Sequence, residues 1–322
     1  MNAPVIGDYR DRSTGLTVFG VLEILFGAMC WIFVPMTVFL MMAPRPGAPA
    51  TPAMLGPAVG FYGAAGTVCI WLGIGSILAR RWARALWVCL SGFGLATGVL
   101  ASPLMVYMAF VYMPRALAAA SPAPPPAVAL FVAQAAMLGT MVLFYLVIPG
   151  VLFWFYTRPN VKKTCEARDP RERWTDRCPL PVLALSLVAA LSGLMMFGLA
   201  PVFPAFPAFG GFVEGGGAKA LMAGCGVLLF GLAWGLYRLR LAALWTWLVL
   251  LVVWSCSGVM TFRNGDLAGL YLRLGFDPLV ARQTGLIWRD LWWVMPVYLV
   301  PWLAYGVYVR RYFHKAQPPP AV

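Results

Sequence analysis

Glu23 is the acidic residue that stands well inside an apolar run, and it has the most chemistry open to it. A carboxyl in hydrocarbon is costly, so it is paired, protonated, or used to hold a proton or cation. Gly20 and Gly27 lie on the same helical face, three residues before and four after it. Small residues there let a neighbouring helix approach closely and meet the carboxyl. The plainer reading is a protonated Glu23 hydrogen-bonded to that neighbour. Gln134 is the other candidate for a ligand or proton site, although its type fits a helix–helix hydrogen bond better. Ser255 and Ser257 fall in an apolar run, where a hydroxyl bonds back to the preceding turn or packs against a neighbour.

Other chemistry is missing. The chain has one histidine, His314, close to its end, so a bis-His haem, a His-assisted nucleophile and a His-rich zinc centre cannot form within one copy. No lysine falls well inside an apolar run, and no P-loop or dinucleotide-binding glycine pattern follows a strand. Cys165 and Cys178 share a basic loop but match no zinc spacing; a reduced pair is expected. The other five of seven cysteines lie within apolar runs as small hydrophobes. No catalytic residue, metal or cofactor is therefore expected, and the chain does not read as an enzyme.

These residues must be positioned by membrane-spanning helices. Of 322 residues, 61% are hydrophobic and 11% charged, whereas about 25% are charged in soluble domains. The apolar residues form runs of about 20, enough to cross a bilayer core. The runs lack the alternation of a β-barrel, and in lipid the backbone must satisfy itself, so they are helices. The expected fold is an all-α integral membrane protein with eight transmembrane helices as two parallel four-helix repeats. The repeat rests on Gly66, Gly73, Arg80, Ala85, Leu86 and Trp87, which align without a gap on Gly224, Gly231, Arg238, Ala243, Leu244 and Trp245, 158 positions later. Glu23 falls on Ala189, so the acid is not shared. Tyr156 answers Tyr308, and Pro149 answers Pro301. Helix packing is assigned to Gly20, Gly27, Gly66, Gly73, Gly94, Gly98, Gly224, Gly231 and Gly235.

The chain divides into an N-terminal segment 1–15, a first repeat 16–157, a basic linker 158–179, a second repeat 180–311 and a tail 312–322. Ser13 or Thr14 is placed to cap the first helix. The start lacks the pattern of a removable signal peptide. Loops are expected at Met41–Pro57, Pro122–Pro126 and Val202–Gly217. In the long loop Arg263–Arg289, Asp266 can cap a short helix with Leu267, Leu270, Tyr271 and Leu274 on one face and Gly275 at its end. Asp277-Pro278 can start another turn, and the eighth helix is expected at Ile287–Arg310. In the linker, Trp174, Asp176 and Arg177 could dock a cytoplasmic partner, although anchoring of the next helix is favoured.

Of 24 lysines and arginines, 17 fall at the two ends and in the even-numbered loops. Positive charge stays cytoplasmic, so both ends should be cytoplasmic, in a cell inner or plasma membrane. The net charge of +13 follows from this placement and does not indicate nucleic acid. Expected partners are the lipid bilayer, anionic lipid headgroups at the cytoplasmic face, and other membrane proteins. The functional expectation is non-enzymatic binding or transport of a small apolar or lipid-like molecule between the repeats. The alternative is a structural or accessory subunit of a larger membrane assembly.

Overall fold

The computed structural model describes residues 10–42, 52–115, 126–201, 205–276 and 278–314. Seven helices among them are long and apolar enough to cross a membrane, and a bent pair brings the number to eight. They are α1 (Ser13–Met42), α2 (Pro52–Ile77), α3 (Arg81–Arg115), α4 (Ala127–Thr157), α6 (Leu180–Leu199), α7 (Gly215–Tyr237) and α8 (Leu241–Asn264). A shorter helix, α5 (Pro159–Arg168), follows α4 in the linker. After α8 come α9 (Leu267–Arg273), α10 (Pro278–Asp290) and α11 (Val294–His314). The last two are the bent pair, at 53° to each other. The protein is thus a polytopic membrane protein.

Several boundaries depart from the sequence reading. Asp11 caps α1, through Ser13 N donating to Asp11 Oδ1 at 3.0 Å, in place of Ser13 or Thr14. The second helix begins at Pro52, ahead of the expected Ala58; proline suits the first helical turn because the N–H it lacks has no partner there. The expected loops at Met41–Pro57 and Pro122–Pro126 lie largely outside the described residues, as does Asp277. The eighth helix is not continuous over Ile287–Arg310. Pro296 cannot donate to the carbonyl four residues back and its ring crowds that carbonyl, so the helix breaks and restarts at Val294. The same effect accounts for the π-helical segment Val142–Val147 in α4, which comes just before Pro149. A second π segment, Met108–Tyr112, interrupts α3.

The chain forms two compact units. The first holds residues 1–44, 55–97 and 143–184, and the second holds the rest. Within the first, α1 and α2 touch backbone to backbone. A Cβ on Gly20 would come 2.7 Å from the Gly73 carbonyl oxygen, and one on Gly27 would come 2.7 Å from that of Gly66. Within the second, α6 and α7 meet in a similar way. A Cβ on Gly193 would lie 3.1 Å from the Gly226 oxygen. Ser186 donates its hydroxyl to the Ala233 carbonyl at 2.8 Å.

The turns after α2 and α7 also share one geometry. Arg80 N donates to Gly75 O at 2.8 Å and Ala79 N to Ser76 O at 2.9 Å; Arg240 N donates to Gly235 O at 3.0 Å and Leu239 N to Leu236 O at 2.8 Å. Both are Schellman caps. The left-handed position is taken by Ala79 (φ 48°) and Leu239 (φ 55°), where glycine is usual. The closing contact is alike, because a Cβ on Gly75 or Gly235 would come 2.6 Å from that of Ala83 or Ala243.

In the second unit the loop expected at Val202–Gly217 contains a β-hairpin. Strand β1 (Ala205–Ala208) pairs antiparallel with β2 (Gly211–Glu214), Ala205 opposite Glu214. Phe209 (φ 40°) and Gly210 (φ 105°) make the turn, the positive angles that a two-residue hairpin needs. Its tip sits on α8: Phe209 N donates to Ser257 Oγ and Gly210 N to Thr261 Oγ1, both at 3.1 Å. Asp266 caps α9 by accepting from Gly269 N at 2.8 Å. Gly275 (φ 83°) follows its end. Leu267 and Leu270 are buried with Ala205, against Phe212, Phe262, Tyr271, Leu274 and Trp288. Arg273 Nη2 pairs with Glu214 Oε1 at 2.8 Å and ties α9 to the hairpin.

Candidate functional site

Glu23 sits on α1 between the two glycine contacts, and at 5% exposure it is buried. The close approach of α1 to α2 brings it within reach of polar groups from the other helices of the first unit. Tyr156, near the end of α4 and with 0% exposure, donates its hydroxyl to Glu23 Oε1 at 2.7 Å. The same hydroxyl lies 2.7 Å from Ser76 Oγ on α2. Tyr156 has one proton to give and gives it to Glu23, so Ser76 is the donor of the second bond. The result is a directed chain, Ser76 to Tyr156 to Glu23.

Trp87, at the start of α3, closes the group. Its ring stacks on Tyr156 with centroids 6.1 Å apart and planes at 13°. Its indole N–H is a hydrogen-bonding neighbour of the Glu23 carboxyl, although neither Trp87 Nε1 nor Glu23 Oε2 has a partner in ordinary hydrogen-bond geometry. A buried acceptor and a buried donor are thus neighbours in one site without a hydrogen bond of ordinary geometry. An unmade buried hydrogen bond costs about 1–3 kcal/mol. A small group that both donates and accepts, such as a hydroxyl, an amide or a water, would satisfy the two together. Phe19, stacked on Phe155 at 4.2 Å, and Phe155 itself wall the apolar surroundings.

An ion-paired plate lies beside this cluster in the first unit. Asp169, 2% exposed, accepts from Arg173 Nε at 3.0 Å and Nη2 at 2.7 Å and meets Arg80 Nη1 at 3.7 Å. Arg81 reaches Glu166 at 3.6 Å and Asp176 at 3.4 Å. Hydrogen bonds from Arg173 hold the Asp169 carboxyl below the usual carboxylate range. Its contribution to stability is therefore present at neutral pH and is lost as pH falls through that lowered value. Asp169→Asn should lower stability at pH 7 by about 1–3 kcal/mol. Thermal unfolding at descending pH should show the wild type converging on the variant below the ordinary carboxylate range. A difference that persisted in full in acid would remove the ion pair as its cause.

The other sequence candidates have distinct places. Gln134 donates through Nε2 to the Ala109 carbonyl at 2.9 Å, inside the π segment of α3. Asp176 accepts from Arg173 N at 2.9 Å and closes the short turn Trp174–Asp176. Trp174, at 43%, and Arg177 are exposed. A Cβ on Gly94 would meet the Pro149 ring at an ordinary 3.5 Å, and Gly98 is buried. Gly224 and Gly231 face open space, while Gly235 packs on Ala243. Cys165 and Cys178 are both buried free thiols; burial pushes them up to about 11 and about 12. Among the described residues no group of acids, cysteines and histidines could hold a metal ion.

Sequence reasoning did not connect Ser76, Trp87 or Tyr156 to Glu23. Trp87 and Tyr156 entered it only as positions shared with Trp245 and Tyr308. In the structure Trp87 and Tyr156 are buried, whereas Trp245 and Tyr308 are exposed, a difference that no local sequence pattern marks. The chain matches no protein-family model, no curated protein and no solved structure.

Proposed function

We propose that this membrane protein binds or carries a small apolar or lipid-like molecule without catalysis, and that Glu23 in the first unit is the polar contact for it. The observation that carries this reading is the buried pair Glu23 Oε2 and Trp87 Nε1, neighbours that lack a hydrogen bond of ordinary geometry. The first carboxylate oxygen is held by the Ser76–Tyr156 chain, which supports the second as the one open to a guest. The architecture proposed with it is a tandem duplication of one four-helix unit, both copies inserted alike and both ends cytoplasmic. Support comes from the Gly/Ser contacts of α1–α2 and α6–α7 and from the matched Schellman turns. Placement of lysine and arginine supports the orientation.

The test is purification in mild detergent followed by mass spectrometry of retained small molecules. Wild type should retain a molecule with an apolar body and one hydroxyl or amide end. Glu23→Leu removes the acceptor while keeping a side chain of similar size, leaves the guest's donor unpaired, and should reduce occupancy at least about tenfold. Equal occupancy in the variant would remove Glu23 from the site. A second reading, an accessory subunit of a larger assembly, is favoured by Trp174, which is exposed on a linker tied down by ion pairs. That reading requires stoichiometric co-purifying proteins that are lost in Trp174→Ala.

A further inference from the structure

The second unit ends, at the C-termini of α7 and α11 and the start of α8, in four exposed arginines: Arg238, Arg240, Arg310 and Arg311. The described acids of that unit, Glu214, Asp266 and Asp290, flank the opposite ends of the same helices. The 23 residues of α7 put about 35 Å between the two sets, at about 1.5 Å per residue. Among the described residues Arg238, Arg240 and Arg311 have no carboxylate within ion-pair distance. The comparable turn of the first unit differs, because Arg80 and Arg81 there are bound by Asp169, Glu166 and Asp176.

Three of the four, Arg238, Arg310 and Arg311, lie on aromatic rings. Arg238 stands 5.0 Å over Trp234, Arg310 stands 5.5 Å over Trp245, and Arg311 stands 4.0 Å over Tyr308. All three rings are exposed. An exposed indole settles at headgroup depth, and a guanidinium stacked on it is held at the same depth with its donors able to turn outward. Orientation in the membrane requires only positive charge in the loop. It does not require guanidinium groups fixed on rings at the depth of lipid phosphates.

We propose that this end of the second unit is a binding surface for anionic phospholipid headgroups. Arg238 and Arg240 take the phosphate oxygens, and the ring of Trp234 supports the glycerol and upper acyl region. The planar guanidinium matches phosphate geometry in a way an ammonium does not. No carboxylate among the described residues of this unit competes for the site.

Full-length protein in a neutral detergent would be titrated with phosphatidylglycerol, phosphatidylcholine or inorganic phosphate, with occupancy read by native mass spectrometry. Phosphatidylglycerol should be retained over phosphatidylcholine, and its binding should weaken as salt rises. Arg238→Gln with Arg240→Gln should weaken it on the order of thirtyfold, about fivefold per arginine. Arg168→Gln, at an exposed pair of the first unit, should leave it unchanged. Should the double Gln variant fail to fold, Arg238→Lys with Arg240→Lys keeps the charge and should retain binding within a few-fold. Equal retention of the two lipids, insensitivity to salt, or unchanged binding by the double Gln variant would overturn the proposal. So would inorganic phosphate displacing the lipid at equal concentration, or an acidic protein being retained in place of any lipid.

Discussion

Tyr156→Phe is expected to destabilise the protein by about 2–4 kcal/mol, a range set by the cost of leaving buried polar and charged groups unbonded. The hydroxyl it removes is the shared centre of two 2.7 Å contacts, to Glu23 and to Ser76. With the hydroxyl gone, neither oxygen of Glu23 has a partner, since Oε2 already lacks one. Ring volume, and hence stacking on Trp87, is nearly unchanged, which isolates the hydrogen bonds. The double variant with Glu23→Leu should be less destabilised than the sum of the singles, because loss of the hydroxyl then strands no acid. Non-additivity of at least about 1 kcal/mol is expected for residues in direct contact. Unfolding in mixed detergent with all four members of the cycle measures it, and strict additivity would mean that the bond carries no stability.

A comparable effect is expected at Gly73 and the opposite one at Gly231, two residues that the sequence alignment places at equivalent positions. A Cβ on Gly73 would lie 2.7 Å from the Gly20 oxygen and 2.7 Å from Ile24 Cγ1, whereas one on Gly231 meets nothing within 4 Å. Gly73→Ala must therefore push α1 away, at the cost of about 1–3 kcal/mol typical of overpacking. Gly73→Leu should prevent assembly of the pair. Gly231→Ala only removes backbone freedom from a helix and should be neutral or stabilising by up to about 1 kcal/mol. Thermal unfolding of the two alanine variants side by side checks this; equal losses would contradict the packing.

That comparison shows where sequence letters and packing part ways. The ungapped alignment follows glycines and sets Gly231 opposite Gly73. The geometry of the turn instead pairs Gly75 with Gly235 and Ala83 with Ala243. In that register Ala233 answers Gly73 and Gly226 answers Gly66. Close approach needs a small residue, not glycine in particular, so glycines matched by identity need not be the ones in contact. The spans themselves were legible because length and apolarity are imposed by the bilayer. The hairpin at Ala205–Glu214 was not, since two four-residue strands containing Pro207 carry no clear periodicity. It is held by Ser257 and Thr261, contacts separated by about fifty positions that no local pattern encodes. Glu23 and its flanking glycines could be singled out, because an acid among apolar residues stands alone. Its partners could not, because Ser76, Trp87 and Tyr156 converge only when three other helices are in place.

The paired glycines have a mechanical consequence. Gly20 and Gly27 are seven residues apart, as are Gly66 and Gly73, so α1 is clasped to α2 at two levels about 10 Å apart. Neither helix can roll or slide without opening both clasps at once. Glu23 stands between them, and its depth and heading are thereby immobilised. Under the proposed function, a guest would reach the carboxyl from the other wall, where Trp87 and Tyr156 would have to swing aside together. A crosslink between α3 and α4 would trap the site closed, whereas one between α1 and α2 would merely duplicate a restraint already in place.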